Sequence, residues 1–191
     1  MTETARLAQL LASRLQAVWG AAAEITGIQR LPGGASRESW GVQARMADGA
    51  EHRLILLRDP GRSDRDRDVA VEAAAMVAAR AAGVPVPELY DHGEEALGPG
   101  RAYLLTERLD GETIPRRLLR DEAYAAVRPR LAHRLGEILA RIHQVDPEDV
   151  PGLPRIDALS QVTGLYQDFA EPRPALEIGR ASCRERVLDH V

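Results

Sequence analysis

Three β-prone runs joined by two short turns restrict this chain more than any other feature. The runs are 25–31, 39–44 and 52–58; Pro32-Gly33-Gly34-Ala35-Ser36-Arg37 and Asp48-Gly49 are the turn signals between them. Strands joined so closely pair antiparallel, because a parallel partner needs a long crossover. The segment therefore predicts an antiparallel meander.

Helical periodicity lies on either side. Residues 3–19 place Leu7, Leu10, Leu11, Leu15 and Val18 on one face, with Thr2 as N-cap and Gly20 as the stop. Residues 59–68 alternate Asp and Arg around a Pro-Gly pair and read as a loop. An Ala-rich helix follows over 69–82 and ends at Gly83; Val84-Pro85-Val86-Pro87 is a rigid extended step. Residues 88–92 and 102–107 read as two more strands. A short helical piece runs to Arg120, and a long helix covers 124–144 with Pro129 in its first turns. After Val145 the chain is Pro-rich and loosely patterned. The order predicts an α+β fold, an antiparallel sheet with segregated helices.

Composition removes several classes of function. The net charge is −4, which argues against a general nucleic-acid binder. Apolar runs are short and interrupted by Arg or Glu, so none spans a bilayer, and residues 1–10 have no apolar signal core. All 25 basic residues are arginine, and there is no asparagine. Chemistry that needs a lysine amine or an asparagine amide is excluded within the chain. The single cysteine, Cys183, excludes an internal disulfide and fits a reducing, cytoplasmic setting.

Three candidates carry chemistry. Gly33, Gly34 and Ser36 form a turn whose backbone N–H groups and hydroxyl can approach an anion. Arg58 ends the third strand and can grip phosphate oxygens with its fork. Glu72 sits on the apolar helix, where a buried carboxylate needs a cation. Each alone is bland: a hairpin turn, a surface arginine, a solvated helix face. Their order, a glycine turn, then a cation at a strand end, then a helix glutamate, is the one kinases use to clamp nucleotide phosphates.

On these residues the chain resembles the phosphotransferase enzyme family that includes aminoglycoside phosphotransferases and choline kinases. It is most similar to the branch related to the kinase-like domain of some acyl-CoA dehydrogenase family proteins. The segments that carry the match are LPGGASRESW (31–40), LILLRDP (54–60), VEAAAMVAARAAGVPVPELY (71–90), YLLTERLDGET (103–113) and LGEILARIHQVD (135–146). The resemblance implies a protein-kinase-like N-lobe, with a five-stranded antiparallel sheet and one packed helix. It adds an N-terminal helix and the first helices of an incomplete C-lobe. The implied boundaries are 1–24, 25–109 for lobe and hinge, 110–176 for the start of the C-lobe, and 177–191 as a non-native tail. By resemblance, Gly33, Gly34 and Ser36 cover phosphates. Arg58 stands where the phosphate-clamping lysine usually lies, and Glu72 is its ion-pair partner. Thr106 to Leu109 form the hinge, with the backbone of Glu107 and Leu109 meeting adenine.

The implied co-substrate is ATP with Mg²⁺, and the implied partner a small molecule bearing a hydroxyl; neither nucleic acid nor membrane is implied. The family's catalytic Asp, its metal-binding Asn and its second Asp follow the long helix. Here no Asn exists, and the one His-Gly pair, His92-Gly93, precedes the hinge and continues with Glu94. His143 ends the long helix and reads as packing or capping. The chain is therefore expected to lack its own chemistry and to be inactive alone. The alternative reading is a nucleotide-binding pseudokinase or a non-catalytic interaction module. Residues 177–187 (EIGRASCRERV) resemble the translation of a sequencing adapter, which would leave Cys183 without biological meaning.

Overall fold

The computed structural model describes residues 2–32, 37–60, 68–155 and 157–170, with side chains described to Gln167 in the last helix. It contains α1 (Glu3–Trp19), β1 (Ala23–Leu31), β2 (Glu38–Met46), β3 (Glu51–Arg58), α2 (Val69–Ala81), β4 (Leu89–Gly93), β5 (Tyr103–Glu107), α3 (Pro115–Arg120), α4 (Arg128–Ile142) and α5 (Ala158–Ala170). Thr2 Oγ1 accepts from the Ala5 N–H at 3.2 Å, and Gly20 closes α1 in the left-handed region. Asp68 caps α2 by accepting from the N–H groups of Ala70 and Val71. Pro129 lies in the first turn of α4, where its missing N–H costs nothing.

The five strands form one antiparallel sheet in the order β1-β2-β3-β5-β4. The sheet is the lobe that the family resemblance implies. β4 lies at the edge and β5 turns back between it and β3. Gly93 ends β4 against the Tyr103 ring, where a Cβ would come within 3.1 Å of a ring carbon. His92-Gly93 thus belongs to the strand end that feeds the turn.

Alternation along the strands assigns each side chain to a layer. One layer holds Trp40, Val42, Ala44, Leu54, Leu56, Tyr103 and Leu105, covered by Leu7, Leu11 and Leu15 of α1, which are at most 1% exposed. Arg14 of α1 donates to both carboxylate oxygens of Asp91, at 2.6 and 2.8 Å, and Tyr103 Oη donates to the same carboxylate. The opposite layer is smaller: Val69 and Ala73 of α2 pack on Leu57, Leu89, Ala102 and Leu104. Among the described residues up to Leu153, no helix joins this layer over β1 and β2.

The chain divides into two units after Leu153. In the second, α5 is a helix where the sequence reads as loosely patterned. Asp157 accepts from the Ser160 N–H at 2.9 Å, an N-terminal cap that the surrounding prolines obscure. Among the described residues no helix is long and apolar enough to cross a membrane.

In α4, Leu135, Leu139 and Ile142 are 61%, 52% and 45% exposed, although their spacing is that of a buried face. An apolar stripe of this kind drives association. The full chain is expected to self-associate in analytical ultracentrifugation, and Leu135→Glu with Leu139→Glu to shift it toward monomer. A monodisperse wild-type monomer at high concentration would contradict this. Leu11→Ala, in the closed layer, is expected to cost about 2–5 kcal/mol in urea unfolding. Leu135→Ala is expected to cost far less.

Candidate functional site

The open face of the sheet is bounded at one end by the residues that follow β5. The Arg108 N–H donates to the Arg53 carbonyl at 2.9 Å, and the Glu107 N–H to the Glu88 carbonyl at 2.8 Å. Arg53 then grips Asp110 through two bonds of 2.6 and 2.7 Å, which straps β3 to the segment leaving the sheet. Asp110 is held below the usual carboxylate range by the Arg53 hydrogen bonds and charge. Leu109 is 58% exposed.

A cavity of about 260 Å³ lies on this face, lined by Gly27, Ile28, Gln29, Gly41, Gln43 and Arg108. The strand register pairs Gly27 with Gln43 and Gln29 with Gly41. A Cβ at Gly41 would meet Arg108 Nη1 at 3.3 Å, and one at Gly27 would meet Gln43 Oε1 at 2.9 Å. The two glycines therefore keep the floor clear beneath the Arg108 guanidinium.

The other end of the face holds a charged cluster. Arg37 Nε donates to Asp59 Oδ1 at 2.9 Å, and Arg37 Nη1 to Glu72 Oε2 at 2.8 Å. The Arg37 and Asp59 side chains are each 8% exposed, whereas Glu72 is 43% exposed. The last residue pair of β2 and β3 is Glu38 with Arg58, so Arg37 and Asp59 face each other one step further on. They share the parity of Ser39, Gly41, Ile55 and Leu57, which places them on the α2 side. Gly41 is four residues from Arg37, about 13 Å along a strand.

Arg58 is elsewhere. It shares the parity of Leu54 and Leu56 and lies 3% exposed in the α1 layer. Its Nε and Nη2 donate to Glu38 Oε2 at 3.1 and 2.7 Å, and Nη2 also donates to Glu3 Oε1 at 3.0 Å. The guanidinium lies 5.7 Å from the centroid of the Trp40 ring. The expected Arg58–Glu72 pair is thus corrected: the sheet separates the two, and Glu72 is held by Arg37. The β3 residue that turns toward α2 is Leu57, which carries no charge.

Gly33, Gly34 and Ser36 lie outside the described residues. Glu72 lies on α2 against Arg37, Glu107 ends β5 on the strand parity of Tyr103 and Leu105, and Leu109 is exposed just beyond it. Sequence reasoning missed the pairing of Arg37 with Asp59 and Glu72. The signal was available as strand parity, since Arg58 continues the apolar series Leu54, Leu56. The motif LDGET also has a local cause: Glu112 accepts from the N–H groups of Thr113 and Ile114 at 3.0 and 2.9 Å, ordering the start of α3. The His143 N–H donates to the Leu139 carbonyl at the end of α4. Among the described residues no group of three His, Cys, Asp or Glu side chains is arranged to hold a metal.

The comparisons with known proteins come from two directions. Residues 27–188 match the profile of the phosphotransferase enzyme family, a span that includes 177–187. A solved structure similar to the chain is that of a candidate fructosamine-3-kinase from Thermobifida fusca YX-ER1, at 18% identity and a TM-score of 0.36. The alignment covers 69% of this chain and 38% of that protein, so the chain spans well under half of its length. No curated protein matches.

Glu38 sets the acid sensitivity of the buried Arg58 cluster. Burial works to raise its pKa, but the Arg58 hydrogen bond and charge outweigh it and hold the carboxyl below the usual value of 4.5. A carboxylate depressed in the folded state stabilises fully above its unfolded pKa, and that stability is lost as pH falls through the folded pKa. Wild type is therefore expected to lose stability relative to Glu38→Gln as pH falls below about 4.5. Parallel unfolding curves for the two proteins across that range would refute the assignment.

Proposed function

Because the chain belongs to the phosphotransferase enzyme family, we propose that it supplies the nucleotide-binding part of an ATP-dependent kinase. The reaction of the whole protein is transfer of the γ-phosphoryl group of ATP to the hydroxyl of a small molecule. The observation that carries this reading is the open sheet face. A glycine-floored cavity lies beside the hinge, and a buried guanidinium lies at the opposite end of the same face.

The nucleotide fits these residues. The base lies over Gly27 and Gly41, against Arg108, with the backbone of Glu107 and Leu109 offering hydrogen bonds. The phosphates run toward Glu72 and the turn containing Gly33, Gly34 and Ser36. The part played by this chain is binding and orientation, which are the main contributions a kinase makes to phosphoryl transfer. Arg58 helps only indirectly, by fixing α1 to the sheet.

The asparagine that holds Mg²⁺ in this family has no counterpart in this chain, and among the described residues no group of three His, Cys, Asp or Glu side chains is arranged to hold a metal. The chain is therefore a nucleotide platform that transfers nothing alone, and the acceptor hydroxyl is met by residues outside this sequence. The boundaries that accompany this reading are a lobe with its hinge over 25–109 and the start of a C-lobe from 110.

Thermal unfolding of the full 191-residue chain with ATP or adenosine tests the reading. Both ligands are expected to raise Tm, ATP more than adenosine. A ligand at one hundred times its Kd adds about 2.7 kcal/mol. In the same preparation, ATP with Mg²⁺ and a panel of hydroxyl compounds is expected to yield no phosphorylated product. A Tm unmoved by millimolar nucleotide would remove the binding claim, and turnover that survives repurification would remove the claim of inactivity.

A further inference from the structure

The phosphate end of the proposed site needs a cation, and strand alternation puts Arg58 on the wrong side of the sheet. We propose that Arg37 is the phosphate-contacting cation of this chain, positioned by Asp59 and Glu72. The proposal rests on the nucleotide reading above.

Three observations carry it. First, Arg37 makes the ion pair with Glu72 that a nucleotide-gripping cation makes with its helix glutamate. Second, its guanidinium is pinned from two directions. Asp59 holds Nε and Glu72 holds Nη1, so the fork keeps one orientation without further ordering. Third, Arg37 Nη2 is buried and has no hydrogen-bond partner among the described residues. A buried guanidinium donor without an acceptor calls for one, and a ligand oxygen is an acceptor of the right kind.

The free donor itself suits a phosphate oxygen better than a neutral acceptor. Shielded from bulk water, an N–H of Arg37 forms a charge-assisted bond to a phosphate oxygen that is stronger than one to a neutral carbonyl. Asp59 is buried and already spends its charge on Nε, whereas Glu72 is largely solvated and screened. Of the three side chains Glu72 is the exposed one, so a ligand oxygen approaches the fork from its side. No lysine exists to take the role, and the β3 position facing α2 is Leu57.

The test compares wild type, Arg37→Lys and Arg58→Lys by calorimetric titration with ATP, adenosine and inorganic tripolyphosphate. Lysine at position 37 keeps one positive charge between Asp59 and Glu72, but its donors radiate from a single nitrogen and do not reproduce the planar fork that holds both carboxylates and reaches a third acceptor. Arg37→Lys is expected to bind adenosine as wild type does and to lose about tenfold or more in affinity for ATP and tripolyphosphate. Arg58→Lys is expected to retain both phosphate affinities. If Arg37→Lys binds ATP and tripolyphosphate as tightly as wild type, Arg37 is structural and the proposal is wrong. Loss confined to Arg58→Lys also overturns it. If wild type binds neither ATP nor adenosine, the nucleotide reading itself fails and takes this proposal with it.

Should Arg37→Lys not fold, the Arg37 Nε–H resonance of wild type decides. It is expected to shift with tripolyphosphate and to stay fixed with adenosine; a resonance unmoved by tripolyphosphate overturns the assignment.

Discussion

The two-residue alternation of β3 is the constraint on which the rest depends. Leu54, Leu56 and Arg58 go to one side, while Ile55, Leu57 and Asp59 go to the other. The first set completes a closed layer under α1, and the buried Arg58 there draws Glu38, Glu3 and Trp40 around it. The second set leaves a face that α2 covers only in part. Arg37 meets Asp59 because the β2–β3 register continues one step beyond the last paired residues. A shift of one residue would exchange these sets and bury the wrong charges.

This division gives each face of the sheet its own arginine. Arg58 holds the N-terminal helix to the sheet, helped by Arg101, which approaches Glu38 and Glu3 at 3.7 and 3.8 Å. Arg37 holds the α2 glutamate. The lysine-free composition made a guanidinium necessary in both places. Its several donors let Arg37 bridge two carboxylates from different segments, which a single ammonium does less well.

Much of the architecture was legible. Short turns required antiparallel pairing, and Thr2 and Gly20 marked the ends of α1. Less legible was the meaning of Arg58. Its parity with Leu54 and Leu56 was visible in the sequence, but the position of α1 over that face was not, because nothing local says which layer a helix will cover. Arg37 was hidden for a related reason: a residue in a turn motif gains its partners only when β3 and α2 arrive from elsewhere in the chain. The helix α5 was obscured by Pro147, Pro151 and Pro154, whose turn signals precede a cap at Asp157. Gly33, Gly34 and Ser36 remain readings of the sequence alone.

The strap between Arg53 and Asp110 has a consequence of another kind. Both side chains are at least half exposed, at 50% and 73%, so mobile ions reach the pair freely. With a Debye length of about 8 Å at physiological salt, such a pair weakens as ionic strength rises. The buried pair of Arg37 with Asp59 is shielded from that effect. Salt therefore acts unevenly on this lobe. It loosens the point where the chain departs from the sheet and leaves the grip inside the sheet intact, so stiffness at that departure is set by the solution as well as by the sequence.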